Sequence, residues 1–353
     1  MSRVEKLRNC MKELEVDGYF VTTLQNVRYL TGFTGTTGVA FVTANEQFFI
    51  TDFRYREQAT EQCKNFDVII HQAGVFQELA CIIDDLGLQR IAIEADEMNV
   101  ATYQQLQSIL NIEIVPTSGV IEKIREVKDA SEIKIIRQAI EIADQAFEHI
   151  LTFIKPGITE IQVANELDFY MRSLGASGVS FDTIVASGVR SSMPHGVASQ
   201  KVIESGDLIT LDFGCYYEGY VSDMTRTIAL GTIDPKLKEI YEIVLRANEI
   251  VNENTKAGIT GKQMDALARD YITQKGYGAE FGHSTGHGIG LDIHEGPSIS
   301  FRNEEPLVVN NIVTNEPGIY LAGLGGVRIE DDLLIQEGGV EILNHSPKEL
   351  IIL

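Results

Sequence analysis

The sequence predicts two successive domains, an α/β domain followed by an α+β domain assembled from two related halves. Three observations lead there. A chain of 353 residues, 44% of them hydrophobic, is longer than one ordinary core accommodates. Its first third alternates short β-rich runs with amphipathic helical periods. The remainder repeats itself, with helices, hairpins and acidic residues recurring in the same order.

The front part opens with apolar spacing at Val4, Leu7, Met11 and Leu14, which predicts an amphipathic helix. GYFVTT, GVAFVT, QFFITD, DVIIHQ, RIAIEA and IEIVP are rich in β-branched and aromatic residues and predict six strands. GVFQELACIIDDLG and MNVATYQQLQSIL carry helical spacing and complete an α/β pattern. VKDASEIKIIRQAIEIADQAFEHILTFI then predicts a long helix, capped at Asp129 or Ser131. Its apolar face includes Ile133, Ile136, Ile140, Phe147 and Ile150. The domain boundary is placed just before this helix, giving residues 1–125 and 126–353.

Within the second domain, KPGITEIQVANELDFYMRSLG from Lys155 aligns without gaps to KAGITGKQMDALARDYITQKG from Lys256. Seven of 21 positions are identical, including the entry turn, an internal Tyr and the closing Gly. A second pair of segments repeats in step: LITLDFGCYY from Leu208 with IVTNEPGIYL from Ile312. Asp212 then faces Glu316, and further on Asp223 in VSDMTRT corresponds to Glu330 in GVRIEDD. His195 in MPHGV and His294 in DIHEG correspond more loosely. Each half is therefore a helix-plus-hairpin unit that supplies two acids.

Composition narrows the function classes. A formal net charge of −22 opposes binding to nucleic acid or to an anionic membrane. No uncharged apolar run reaches spanning length, and the amino terminus has no apolar signal-like core. The four cysteines (Cys10, Cys63, Cys81, Cys215) are scattered without CxxC spacing, which reads as free thiols in a reducing compartment. A soluble cytoplasmic protein is expected.

The acids carry the chemistry. Alternate side chains of an antiparallel pair share a face, so Asp212, Asp223, Glu316 and Glu330 can project into one cavity. Four converging carboxylates repel one another unless cations neutralise them. Apolar Leu211, Phe213, Val313 and Ile329 beside three of them argue against a solvated face. A carboxylate-dominated site suits hard divalent ions such as Mn²⁺, with Co²⁺ or Zn²⁺ able to compete. Four acids and one imidazole suffice for two ions if some carboxylates bridge.

Histidines cluster beside the acids: His195, His283, His287 and His294 lie in Gly- or Pro-punctuated segments, whereas His71, His149 and His345 do not. His283 and His287 have the i, i+4 spacing of an HExxH zinc helix. GHSTGHGIG, however, holds four glycines and lacks the glutamate, so an irregular strand is expected instead.

Together, MPHGVAS, LDFG, SDMTRT, GHSTGHGIGLDIHE, TNEPGIY, GVRIEDD and the lead-in helix DASEIKIIRQA resemble the metallopeptidases of the pita-bread fold: methionyl aminopeptidases, aminopeptidase P and prolidase. The first domain resembles the creatinase-type amino-terminal domain of the proline-specific members. The resemblance implies metal ligands at Asp212, Asp223, His287, Glu316 and Glu330, with Asp223 and Glu330 among the bridging groups. It assigns His195 and His294 to hydrogen bonds with the substrate carbonyl and the tetrahedral intermediate, and Glu316 to proton transfer. His283 lines the site, Arg328 supports the network, and Thr225 and Tyr320 orient ligands. The implied activity is hydrolysis of the Xaa-Pro bond at the N-terminus of short peptides with proline in second position, using two divalent ions, Mn²⁺ foremost. Relatives with this front domain are commonly dimeric, which implies a homodimer.

Many prolidases carry an arginine four residues after the counterpart of His294, suited to a dipeptide carboxylate. Here Ser298 stands there. An aminopeptidase P-like enzyme is therefore expected, with a strict Xaa-Pro dipeptidase as the alternative. A creatinase-like non-peptidase hydrolase and a catalytically silent binding relative are more distant readings, opposed by the five intact ligand positions.

Overall fold

The computed structural model describes residues 1–353, which separate into two compact units, Met1–Arg125 and Glu126–Leu353. The first holds helices α1 Arg3–Glu13, α2 Leu24–Thr31, α3 Arg56–Gln62, α4 Val75–Leu86, α5 Val100–Ile109 and α6 Val120–Arg125. Its strands are β1 Gly18–Val21, β2 Val39–Thr43, β3 Gln47–Thr51, β4 Asp67–Ile70, β5 Arg90–Glu94 and β6 Glu113–Thr117. They form one mixed sheet in the order β4-β3-β2-β1-β5-β6, in which β1, β5 and β6 run parallel.

All six strands fall on the runs that the sequence singles out, β6 extending one residue past its run to Thr117. Phe20, Phe41, Ile50, Ile91 and Ile93 of the sheet pack against Leu79 and Ile83 of α4 and Leu106 of α5. Fully burying each such side chain stabilises by about 1.5–3 kcal/mol. The periodicity did not reveal α2, α3 or α6. These have only 8, 7 and 6 residues, too few turns for a 3.6-residue period to emerge. The local stop signal was present: Gly32 ends α2 at φ 80°, the left-handed conformation that glycine adopts without cost.

The second unit contains α7 Ala130–Phe153, α8 Glu160–Ser173, α9 Pro235–Asn254 and α10 Gly261–Gln274. Its strands are β7 Gly178–Val179, β8 Ile184–Ser187, β9 Leu208–Phe213, β10 Cys215–Tyr217, β11 Tyr220–Val221 and β12 Met224–Ala229, then β13 Gly286–Gly288, β14 Glu295–Ile299, β15 Ile312–Asn315, β16 Gly318–Leu321, β17 Gly325–Arg328, β18 Asp331–Ile335 and β19 Val340–Ile342. Asp129 is the cap of α7, with Glu132 completing a capping box.

The internal repeat is structural. Thr159 and Gln162 form a capping box at α8, and Thr260 and Gln263 form the same box at α10, so the shared entry turn starts both helices identically. β9 pairs antiparallel with β12, and β15 pairs antiparallel with β18. The short pairs β10–β11 and β16–β17 follow in each half. Each half has its own core: α7, α8 and β9 pack around Phe147, Leu167 and Leu211, while α9, α10 and β15 pack around Val244, Met264 and Val313. The long helix α9 was not among the elements read from sequence. No helix is long and apolar enough to cross a membrane.

Candidate metal centre

Strand geometry delivers the acids. Asp212, next to the end of β9, lies opposite Thr225 of β12 and Ile184 of β8. Asp223 immediately precedes β12, and Glu330 immediately precedes β18. Glu316 follows β15, its backbone N–H donating to Thr285 O at 2.8 Å. At Gly214, where β9 hands over to β10, a Cβ would overlap the Ser222 carbonyl, so only glycine permits the close approach.

His287 sits on β13, a three-residue strand with a register irregularity. A Cβ at Gly286 would overlap the Thr314 carbonyl, and one at Gly288 would overlap that of Gly296. The glycines thus let a narrow strand slot between β14 and β15, with no helix, as their number implied. His283 lies in the preceding loop, so the i, i+4 spacing has no helical meaning here.

All four acids, His287, His195, His283, His294 and Arg328 line one cavity of about 470 Å³, and Ser298 stands at its wall. Asp223, His287 and Glu330 each offer a ligand atom, all within 4.8 Å of one another. Bonds of about 2.1 Å place two ligands of one ion at most about 4.2 Å apart, so small side-chain adjustments close this set on a cation. His287 Nε2 is 3.4 Å from Glu316 Oε1 and 3.6 Å from Asp223 Oδ2. Asp212 Oδ1 is buried without a hydrogen-bond partner. An orphaned carboxylate oxygen among three other acids fits a group that binds a cation.

Electrostatics agrees. Burial first, and then the charges of Glu330, Asp212, Asp332 and Glu316, push the Asp223 carboxyl well above its ordinary range. Burial followed by Glu316 and Asp212 does the same to Glu330. Glu316 is raised by burial, with His283 and Arg328 pulling the other way. Burial lowers His287, His283 and His294, favouring the neutral imidazole that can ligate or donate a hydrogen bond. The rings of His287 and His294 meet edge-on, 4.4 Å between centroids.

Thr225 and Tyr320 stand behind the lining groups. Thr225 Oγ1 donates to Glu330 Oε2 at 2.7 Å and accepts from Arg328 Nε at 3.1 Å. Arg328 also donates to Asp212 Oδ2 (2.5 Å), Tyr320 Oη (2.8 Å) and Pro194 O (3.1 Å). His283 Nε2 lies 2.9 Å from Tyr320 Oη, and burial pushes that phenol up to about 12. His149, outside the Gly- and Pro-punctuated segments, pairs with Glu166 at 2.6 Å.

Some groups were missed. Asp332 is fully buried and accepts from Asp223 N at 3.2 Å. Arg226 and Asp331 form a buried ion pair of 2.9 Å behind the site. The run IEDD, with three acids amid apolar residues, was a signal for both. Phe181, Ile184 and Ile293 supply an apolar cavity wall that no motif announced.

Comparison with known proteins covers the whole chain. The model of metallopeptidase family M24 matches residues 134–337, and that of the creatinase/prolidase N-terminal domain matches residues 3–127. The peptidase YqhT of Bacillus subtilis is 53% identical over 352 residues, which are 99% of this chain and 100% of its own. The structure of an Xaa-Pro dipeptidase from Bacillus anthracis is 53% identical and superposes with a TM-score of 0.98, covering 99% of each chain. That of an X-Pro aminopeptidase from Thermotoga maritima MSB8 is 41% identical with a TM-score of 0.92, covering 97% of this chain and 99% of its own. Matched from end to end, and with its repeated acids drawn into one cavity, the chain belongs to metallopeptidase family M24 and carries a creatinase/prolidase N-terminal domain ahead of the metallopeptidase domain.

Proposed function

We propose that the chain is an exopeptidase hydrolysing the Xaa-Pro bond at the N-terminus of short peptides, with residues 126–353 as its catalytic domain. Two divalent ions, Mn²⁺ foremost and Co²⁺ or Zn²⁺ in competition, are held by Asp212, Asp223, His287, Glu316 and Glu330. The observation that carries this reading is the convergence of these five side chains, from both halves, on one cavity. Divalent ions bound there supply Lewis acidity and lower the pKa of water.

The chain's own groups do the rest. Glu316 accepts a proton from the attacking water. His294 and His195 donate hydrogen bonds to the developing oxyanion and the carbonyl. Arg328 fixes Asp212 and Tyr320 so that neither reorganises during the reaction. The substrate's free α-amine could coordinate a bound ion, which would restrict cleavage to the first residue. Phe181, Ile184 and Ile293 suit the apolar proline ring.

Arg328 is the only Lys or Arg lining the cavity, and Asp212, Thr225, Tyr320 and Pro194 take four of its five donors. With Ser298 at the wall, no free cation waits for a dipeptide carboxylate, which favours longer Xaa-Pro peptides. A strict Xaa-Pro dipeptidase is the second reading, favoured by the 53% identity to the Bacillus anthracis enzyme of that name. We also place the protein in the cytoplasm as a homodimer. Four unpaired cysteines accord with a reducing compartment, and the proline-specific relatives with this N-terminal domain support the dimer.

Mn²⁺-dependent hydrolysis of an Xaa-Pro dipeptide and of an Xaa-Pro tripeptide, compared as kcat/KM, tests the proposal. Higher efficiency on the tripeptide is expected. Cleavage of the dipeptide alone selects the second reading, and hydrolysis of neither with any divalent ion refutes both.

A further inference from the structure

Each half of the second unit buries one carboxylate on its second helix, outside the cavity. Glu160, the first residue of α8, is fully buried and gathers five donors. Its Oε1 accepts from Ser187 N (2.8 Å) and Ser187 Oγ (2.9 Å). Its Oε2 accepts from Ser199 N (3.1 Å), Ser199 Oγ (2.6 Å) and Arg190 Nη1. Arg190 reaches on to Val197 O at 2.9 Å. One carboxylate thereby closes both stems of the excursion 188–198, which carries His195.

Asp265 of α10 does the same in the other half. It is 1% exposed, and its Oδ1 accepts from Thr285 N (3.0 Å) and Thr285 Oγ1 (2.8 Å). Arg269 grips both oxygens of Asp265 at 2.7 and 2.9 Å and donates onward to Phe281 O (3.0 Å) and His283 O (2.7 Å). Thr285 O in turn accepts from Glu316 N. The two anchors are not copies: in the helix repeat Glu160 faces Gly261, and Asp265 faces Ala164. The same construction at different positions answers a need common to both halves. Each half must hold an irregular segment that has few ladder bonds of its own.

We propose that Glu160 with Arg190, and Asp265 with Arg269, are positioning residues: each pair fixes the segment that presents an active-site histidine, His195 or His283, and the second also fixes Glu316 through Thr285. The inference rests on the peptidase reading above. A reacting geometry tolerates displacements of only about 0.5 Å, so loosening either segment costs rate before it costs fold.

The test compares Glu160→Gln and Asp265→Asn with wild type in three readouts: kcat and KM on an Xaa-Pro tripeptide, Mn²⁺ affinity by calorimetry, and amide hydrogen exchange at 188–198 and 281–285. Glu160→Gln is expected to lower kcat about 10–100-fold with KM and Mn²⁺ affinity near wild type, and to speed exchange only in 188–198. Asp265→Asn is expected to speed exchange in 281–285 and to weaken Mn²⁺ binding about tenfold or more, through Glu316. Wild-type kcat in Glu160→Gln, or wild-type Mn²⁺ affinity in Asp265→Asn, overturns the corresponding half. Should either variant fail to fold, Arg190→Lys and Arg269→Lys, which keep the charge but lose the fork, are judged by the same criteria. If wild type hydrolyses no peptide, the proposed activity falls. Hydrogen exchange then decides the positioning role alone, and unchanged exchange in both segments refutes it.

Discussion

Two faces of the same strand entry treat buried charge in opposite ways. Asp331 is fully buried; burial pushes its carboxyl up, yet Arg226 at 2.9 Å and Lys348 at 2.6 Å hold it below the usual range. Its neighbour Glu330, equally buried, meets Glu316 and Asp212 instead and is driven well above that range. Alternation along a strand sends the two acids to opposite sides, one toward cations and one toward acids. A buried charge matched by the protein belongs to the scaffold, and one left unmatched marks where an external cation belongs.

The sharpest way to break this contrast is Asp223→Ala, on the unmatched side. A loss of about 10⁴-fold in kcat/KM, ~5.5 kcal/mol of transition-state stabilisation, is expected with Mn²⁺ present. Full turnover would refute the two-ion assignment.

Arg226→Met on the matched side should instead cost about 3–5 kcal/mol of stability, because Asp331 loses one of its two cations in a buried setting. Urea unfolding measures it, and a loss below about 1 kcal/mol would make the pair incidental.

Glu330→Gln reverses sign with metal. In chelated protein the raised carboxyl makes the wild type lose stability as pH climbs above the ordinary carboxylate range of about 4 toward the raised folded value, because the folded state binds more protons than the unfolded one. The variant lacks that penalty. It should therefore be the more stable protein at neutral pH, with the gap closing below about pH 4. Saturating Mn²⁺ should invert the order, as thermal melts with and without chelator would reveal.

Tyr320→Phe is the mildest cut. It removes the hydroxyl shared by Arg328 and His283, and about a tenfold fall in kcat without loss of Mn²⁺ binding is expected. An unchanged kcat would confine Tyr320 to packing.

Much of this was legible in the sequence because it is local. The Thr-x-x-Gln boxes at Thr159 and Thr260 announce two equivalent helices, and the alternating runs of the first unit announce its strands. The glycines around His287 exclude a helix by their number alone. The short helix α2 is too brief for its period to emerge, and its role is tertiary: buried Asn26 donates to Glu94 Oε1 at 2.7 Å.

By itself, then, the sequence determined the strands of the first unit, the repeated helices α8 and α10, the duplication and which acids and histidines are candidates, since periodicity, capping and glycine sterics act within a few residues. Only the tertiary structure decided which acids face cations and which face one another. Arg328 meets Asp212 across 116 residues, and Arg226 meets Asp331 across 105. Charge in a buried site is governed by what the fold brings within a few ångströms, and the spacing of residues along the chain does not encode that.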